Sequence, residues 1–131
     1  MEDEENPLPI NEKEVMDYYG CTSKFDIFRL KIKFLRSWIL HSLAYSSPHS
    51  NFAIRMQKAR GVKIGKNCHF NPYVLIDLVY PKMVEIGDNV TLGSHSMIFA
   101  HSNPSANLFL KQGDFPRKVS KVVIKSGAVI N

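Results

Sequence analysis

From Ile64 onward, a large apolar residue recurs every sixth position and is followed by a small or polar one. The runs are Ile64-Gly-Lys-Asn-Cys-His, Phe70-Asn-Pro-Tyr-Val-Leu, Ile76-Asp, then Ile86-Gly-Asp-Asn-Val-Thr, Leu92-Gly-Ser-His-Ser-Met and Ile98-Phe-Ala-His. After a gap the pattern resumes at Ile124-Lys-Ser-Gly-Ala-Val and Ile130-Asn. A period of six fits neither the 3.6 of a helix nor the 2 of a strand. It is the period of a solenoid made of very short strands and tight turns. Three hexads close one three-sided coil. The first residue of each hexad points inward and stacks on its equivalents, burying apolar area at roughly 25 cal/mol per Å². The fifth position (Cys68, Val74, Val90, Ser96, Ala128) occupies a cramped corner. Gly65, Gly87 and Gly93 take the second position, where the backbone is tight, and Lys66-Asn67, Asp88-Asn89 and Ser126-Gly127 are turn pairs.

Upstream of the repeat the pattern is helical. A short helix is predicted from Asn11 to about Tyr19, ended by Gly20. A longer one is predicted over residues 23–45, capped by Ser23 with Asp26 as its capping-box partner. Phe25, Phe28, Ile32, Leu35, Ile39 and Leu43 form one stripe on it, and Ile27, Leu30, Phe34 and Trp38 a second. Arg29, Lys33 and Arg36 occupy the remaining arc. An apolar face that wide calls for two neighbours: the solenoid and either a second helix or subunit. The other reading is a basic amphipathic helix in peripheral contact with an anionic membrane. A third helix, Asn51 to about Arg60, leads into Gly61.

Composition narrows the function classes. The chain has 131 residues and a formal charge of +5, unevenly spread. Residues 1–23 carry seven acids and one lysine, whereas residues 24–66 carry ten basic groups and only Asp26 as an acid. No motif that reads nucleic acid accompanies the basic stretch, so no nucleic-acid partner is expected. The acidic N-terminus is not a signal peptide, no apolar run is long enough to span a bilayer, and a cytoplasmic location is expected. Residues 1–10 are expected to be disordered. Two cysteines, Cys21 and Cys68, make no disulfide framework.

The hexads from about Val62 to Asn131 resemble the hexapeptide-repeat acyltransferases, among them the maltose, galactoside, serine and xenobiotic acetyltransferases. The resemblance implies a mainly β fold: a left-handed parallel β-helix of about three to four coils, here preceded by N-terminal α-helices. The resulting layout is a helical segment over 1–60 and an incomplete β-helix over 61–131, with a loop insertion at 102–118. The resemblance also implies a homotrimer with its active site at the seam between subunits, and acetyl-CoA as acyl donor.

Acyl transfer from a thioester to a hydroxyl needs a base for the acceptor's proton, and histidine suits that role. His101 stands where the repeat breaks, in His101-Ser-Asn-Pro104, and family members place their catalytic histidine at such a strand-to-loop exit. His95, in the turn sequence Ser94-His95-Ser96, is the second candidate. The family's sugar acetyltransferases hold the acceptor hydroxyl with an asparagine about thirty residues earlier, a spacing that Asn71 matches. Asn103 and Asp114, within the insertion, are further candidates to contact the acceptor. Leu108, Phe109, Leu110 and Phe115 are more apolar than a solvated loop requires, so the insertion is expected to fold over the acceptor site or onto a neighbouring subunit. The residues that bind the coenzyme are not identified; Lys118, Lys121 and Lys125 are read first as solvated strand-edge lysines and otherwise as cations facing its phosphates. A zinc site of the γ-carbonic-anhydrase kind needs three converging histidines, and the hexad phases of His69, His95 and His101 do not supply them; no metal site is expected. The sequence stops inside a hexad where the family continues. The expectation is therefore a truncated chain, and the alternative to an acetyltransferase acting on a sugar-like hydroxyl is a non-catalytic β-helix remnant or assembly module.

Overall fold

The computed structural model describes residues 7–105 and 107–131. The chain divides into two compact units, one of Met1–Lys33 with His101–Lys118 and one of Phe34–Ala100 with Val119–Asn131. Helices come first: α1 (Pro7–Tyr18), α2 (Lys24–Ser46) and α3 (Ser50–Arg60). Among the described residues, ten strands of two or three residues follow: β1 (Lys63–Ile64), β2 (His69–Phe70), β3 (Leu75–Ile76), β4 (Val84–Ile86), β5 (Thr91–Leu92), β6 (Met97–Ile98), β7 (His101–Ser102), β8 (Lys118–Val119), β9 (Val122–Ile124) and β10 (Val129–Ile130). Helix α4 (Leu108–Gln112) lies between β7 and β8. About 41% of the structure is helical and 18% strand, so the fold is mixed α and β, not mainly β. The strands are too short to outweigh α2 and its companions.

The second unit has a repeating register. Lys63 pairs with Glu85, Phe70 with Leu92 and Leu75 with Met97, all in parallel and each 22 residues apart. Consecutive strands therefore belong to different sheets. The chain visits three sheets in turn, then returns to the first. A second return pairs Glu85 with Val123 and Leu92 with Ile130, 38 residues on. The extra residues are the segment that carries β7, α4 and β8.

The hexad positions pack as their spacing predicts. Phe70, Ile76, Ile86, Leu92 and Ile98 are buried, as are Val74, Val90 and Ser96 at the fifth position. Ile64, Ile124 and Ile130 are half-buried. Asn67, Asn89 and Gly127, equivalent turn residues of successive rows, all have positive φ, at 57°, 58° and 81°. Asparagine and glycine tolerate that left-handed region best. Gly65 is needed for a different reason. A Cβ there would lie 2.7 Å from the Gly87 carbonyl oxygen of the next row.

The helices depart from the sequence reading in two respects. Helix α1 begins at Pro7, so residues 7–10 are helical; the disorder expected for residues 1–6 lies outside the described residues. Helix α2 runs to Ser46, and its start is built as predicted but with a third partner. Ser23 Oγ accepts the Asp26 N–H at 3.2 Å, while the Asp26 carboxylate reaches back to the N–H and hydroxyl of Thr22. Those two bonds hold the Asp26 carboxyl below its usual range.

The larger departure is the face that α2 buries. Its buried residues are Leu30, Ser37, His41 and Ala44. The stripe Phe25, Phe28, Ile32, Leu35, Ile39, Leu43 is exposed. Two buried polar contacts fix this rotation. Arg60 Nε donates to Ser37 Oγ at 2.9 Å, and the Ile76 N–H donates to His41 Nε2 at 3.2 Å. Rolling α2 to bury the stripe would strip both contacts and leave buried polar groups unpaired. Helix α3 packs on β1 and β2 and stops at Gly61, whose N–H bonds Gln57 and Lys58 carbonyls at φ 106°.

Candidate functional site

His101 forms the first residue of β7, which pairs with β8, and is half-buried. Three residues on, the chain passes Pro104 and leads to α4. Asn107 caps α4, its side chain accepting the Leu110 N–H at 3.2 Å.

The insertion is anchored by a buried lysine. Lys111, on α4, is 8% exposed. Its Nζ donates to Glu14 Oε1, to Asn103 Oδ1 at 2.7 Å and to Asn11 Oδ1 at 3.2 Å. Asn103 Nδ2 also donates to Asn11 Oδ1 at 3.0 Å. The Asn103 amide thus joins Lys111 within the insertion through Oδ1 and Asn11 of α1 through Nδ2, within the first unit. Asp114 is exposed in the turn after α4. Phe109, Leu110 and Phe115 are exposed as well, with Phe109 at 81%.

Asn71 sits in the turn after β2, in the second unit. Its own N–H and its Nδ2 both donate to the Leu92 carbonyl, each at 3.0 Å. That double bond to the next row fixes the side chain, and Oδ1 makes no hydrogen bond among the described residues. His101, Asn103 and Asp114 belong to the first unit and Asn71 to the second.

The other histidines have distinct surroundings. His95 is exposed with φ 65°, and its ring stacks on Tyr73 at 5.4 Å between centroids. Tyr73 has φ 67° in the preceding row and meets Tyr45 at 5.5 Å. His69 is exposed on β2 and His49 precedes α3. His41 is buried, and burial, aided by the charge of Arg60, lowers its pKa to about 4. It is therefore neutral and accepts the Ile76 N–H. Among the described residues, no three His, Cys, Asp or Glu side chains gather as a metal-holding group.

Sequence reasoning missed the most elaborate polar cluster. Arg60 is buried and donates to Ser37, to Gln57 Oε1 at 2.6 Å and to the carbonyls of Ile76 and Asp77. Asp77 is fully buried and accepts three backbone N–H groups. One signal was present: Asp77 stands at a second hexad position where Gly65, Gly87 and Gly93 mark the rule.

Lys63 and Lys121 both pair with Glu85, at 3.1 and 2.8 Å. The Lys121 and Lys63 bonds lower the Glu85 carboxyl below its ordinary range. Lys125 lies with Val123 and Ser126 on an open groove that Lys63 and Glu85 also line. Among the described residues, no helix is long and apolar enough to cross a membrane. No protein-family model, no curated protein and no solved structure matches the chain.

Proposed function

We propose that the repeat is a left-handed parallel β-helix and that the chain is an acyltransferase of the hexapeptide-repeat kind. It would move an acetyl group from acetyl-CoA to a hydroxyl of a sugar-like acceptor, in the cytoplasm and as a homotrimer. The observation that carries this reading is the 22-residue parallel register in three sheets, with His101 standing where the register lengthens to 38. An active histidine placed at such an interruption falls outside the hexad rows, on a segment that can take up function without breaking their packing.

In this reading the imidazole of His101 takes the proton from the acceptor hydroxyl as its oxygen attacks the acyl carbonyl. The same imidazolium returns that proton to the departing thiolate. Asn71 of a neighbouring subunit in the trimer positions the acceptor through Oδ1, the atom that its bonds to Leu92 leave available to a hydroxyl donor. Acetyl-CoA supplies the activated acyl group. Lys63 and Lys121 are neutralised in part by Glu85, so they form no ready phosphate cradle. Lys125, on the open groove with Val123 and Ser126, is the cation that agrees best with a phosphate-bearing donor.

The test is acetyl transfer from acetyl-CoA to a panel of sugar acceptors, read as release of free thiol. Turnover by the full chain, lowered about 10²–10⁴-fold in His101→Ala, supports the assignment. Turnover unchanged in His101→Ala removes His101 from the mechanism. No transfer, together with no coenzyme binding by calorimetry, favours the non-catalytic assembly module instead.

A further inference from the structure

Helix α2 presents its apolar stripe outward. Phe25, Phe28, Ile32, Leu35, Ile39 and Leu43 are each 47–66% exposed. At 100° per residue they fall within an arc of roughly 80°, and from Phe25 to Leu43 they extend about 27 Å along the axis. Trp38, also exposed, borders this arc. The opposite arc contains Ser37 and His41, held by Arg60 and by the Ile76 N–H. The helix is thus pinned to its own protein by polar groups and turns its oily side away.

The charges around the stripe are of one sign. Arg29, Lys33 and Arg36 flank it on one side, and Lys24 and Lys31 on the other. The one acid on the helix, Asp26, lies on a different arc and is engaged by Thr22 and Ser23. A second copy of the same face would bring five cations against five. An anionic surface with an apolar interior matches both features, because the stripe enters the acyl boundary while the cations meet headgroups. A tryptophan at the margin suits the same depth. The helix is not apolar enough to cross a bilayer, so it would lie in the interface plane.

We infer that α2 is a membrane-surface anchor: its Phe25–Leu43 stripe inserts at the headgroup boundary of an anionic phospholipid bilayer, with Lys24, Arg29 and Lys31 on the headgroups. This stands on the helix alone and does not depend on acyl transfer.

The chain contains a single tryptophan, so Trp38 reports directly. The experiment mixes the full chain with vesicles of phosphatidylcholine alone, or of phosphatidylcholine with phosphatidylglycerol. It reads Trp38 emission and co-sedimentation. The expected result is a blue shift and sedimentation with the anionic vesicles only, both weakened by added salt. Leu35→Ser with Ile39→Ser alters exposed positions, so the fold should persist by circular dichroism while vesicle affinity falls at least about tenfold. Absence of binding to anionic vesicles overturns the inference, as does unchanged binding by the double variant. An oligomer that the double variant dissolves, in a chain that ignores vesicles, shows that a second copy covers the stripe and also overturns it.

Discussion

Arg60 Nη2 donates to the main-chain oxygen of Asp77 at 2.6 Å, and the Asp77 carboxylate receives the N–H groups of Val79, Tyr80 and Ala100. The last turn of α3 is thereby tied to the end of β3, and that end to Ala100, two residues after β6. A buried cation is tolerated here because each arm of its fork meets an oxygen.

Asp77→Asn tests that arrangement. An amide replaces one carboxylate oxygen with an N–H group, which must face a backbone N–H donor. The expected loss is about 1–3 kcal/mol of unfolding free energy, measured by urea denaturation. Arg60→Met, which strands four acceptors, should cost about 3–5 kcal/mol. Arg60→Lys should recover only part of that loss, because an ammonium cannot span the same fork.

His41 gives the second unit a pH dependence. Its folded pKa is near 4, against 6.5 for the free side chain. Between those values the unfolded chain binds more protons than the folded one, so stability rises with pH across that window and levels off above it. The effect is on the order of 2 kcal/mol after allowance for solvent screening. Thermal melts from pH 4 to pH 7 should show this slope, and His41→Gln, which still accepts the Ile76 N–H, should flatten it. An equal slope in the variant would assign the dependence to other groups.

Glu85 acts in a lower window. Its carboxyl is held below its ordinary value by Lys121 and Lys63, so its contribution is present above the unfolded pKa and fades as pH falls through the folded one. Glu85→Gln should remove the salt sensitivity of that local pairing without disturbing the register of β4, as amide hydrogen exchange of Glu85 and Val123 would report.

The row-to-row spacing predicts unequal costs for glycine substitutions. At Gly87 a Cβ would fall 2.7 Å from the Ser126 nitrogen, whereas at Gly127 it would meet open space at φ 81°. Gly87→Ala should therefore cost about 1–3 kcal/mol through forced displacement of the next row. Gly127→Ala should cost about 1 kcal/mol through backbone strain alone. Equal losses in denaturation experiments would contradict the close-approach account.

Lys111 links the insertion to α1 through Asn11 and Glu14 and braces it internally through Asn103. Lys111→Met keeps the apolar stem and removes three bonds. It should raise proteolytic nicking of residues 102–118 while leaving exchange protection of Phe70 and Leu92 unchanged.

Much of the second unit was legible in the sequence, because each short strand is dictated locally. A large apolar residue must point inward, the next row approaches too closely for a Cβ at Gly65 or Gly87, and Asn67 and Asn89 accept positive φ. The positive φ of Tyr73 was not legible, since a bulky aromatic residue does not signal it; its ring stacks on that of His95, which shares the conformation. The helix positions were equally plain, but not which side of α2 would be buried. A period of 3–4 marks an apolar stripe without saying what it meets. Only the fold brought Arg60 to Ser37 and the Ile76 N–H to His41, partners 23 and 35 residues apart. The sequence by itself determined where the rows lie and what lines them, since six-residue periodicity is a local property. Tertiary structure alone decided the rotation of α2, because Ser37 and His41 meet their polar partners, Arg60 and the Ile76 N–H, only on that side.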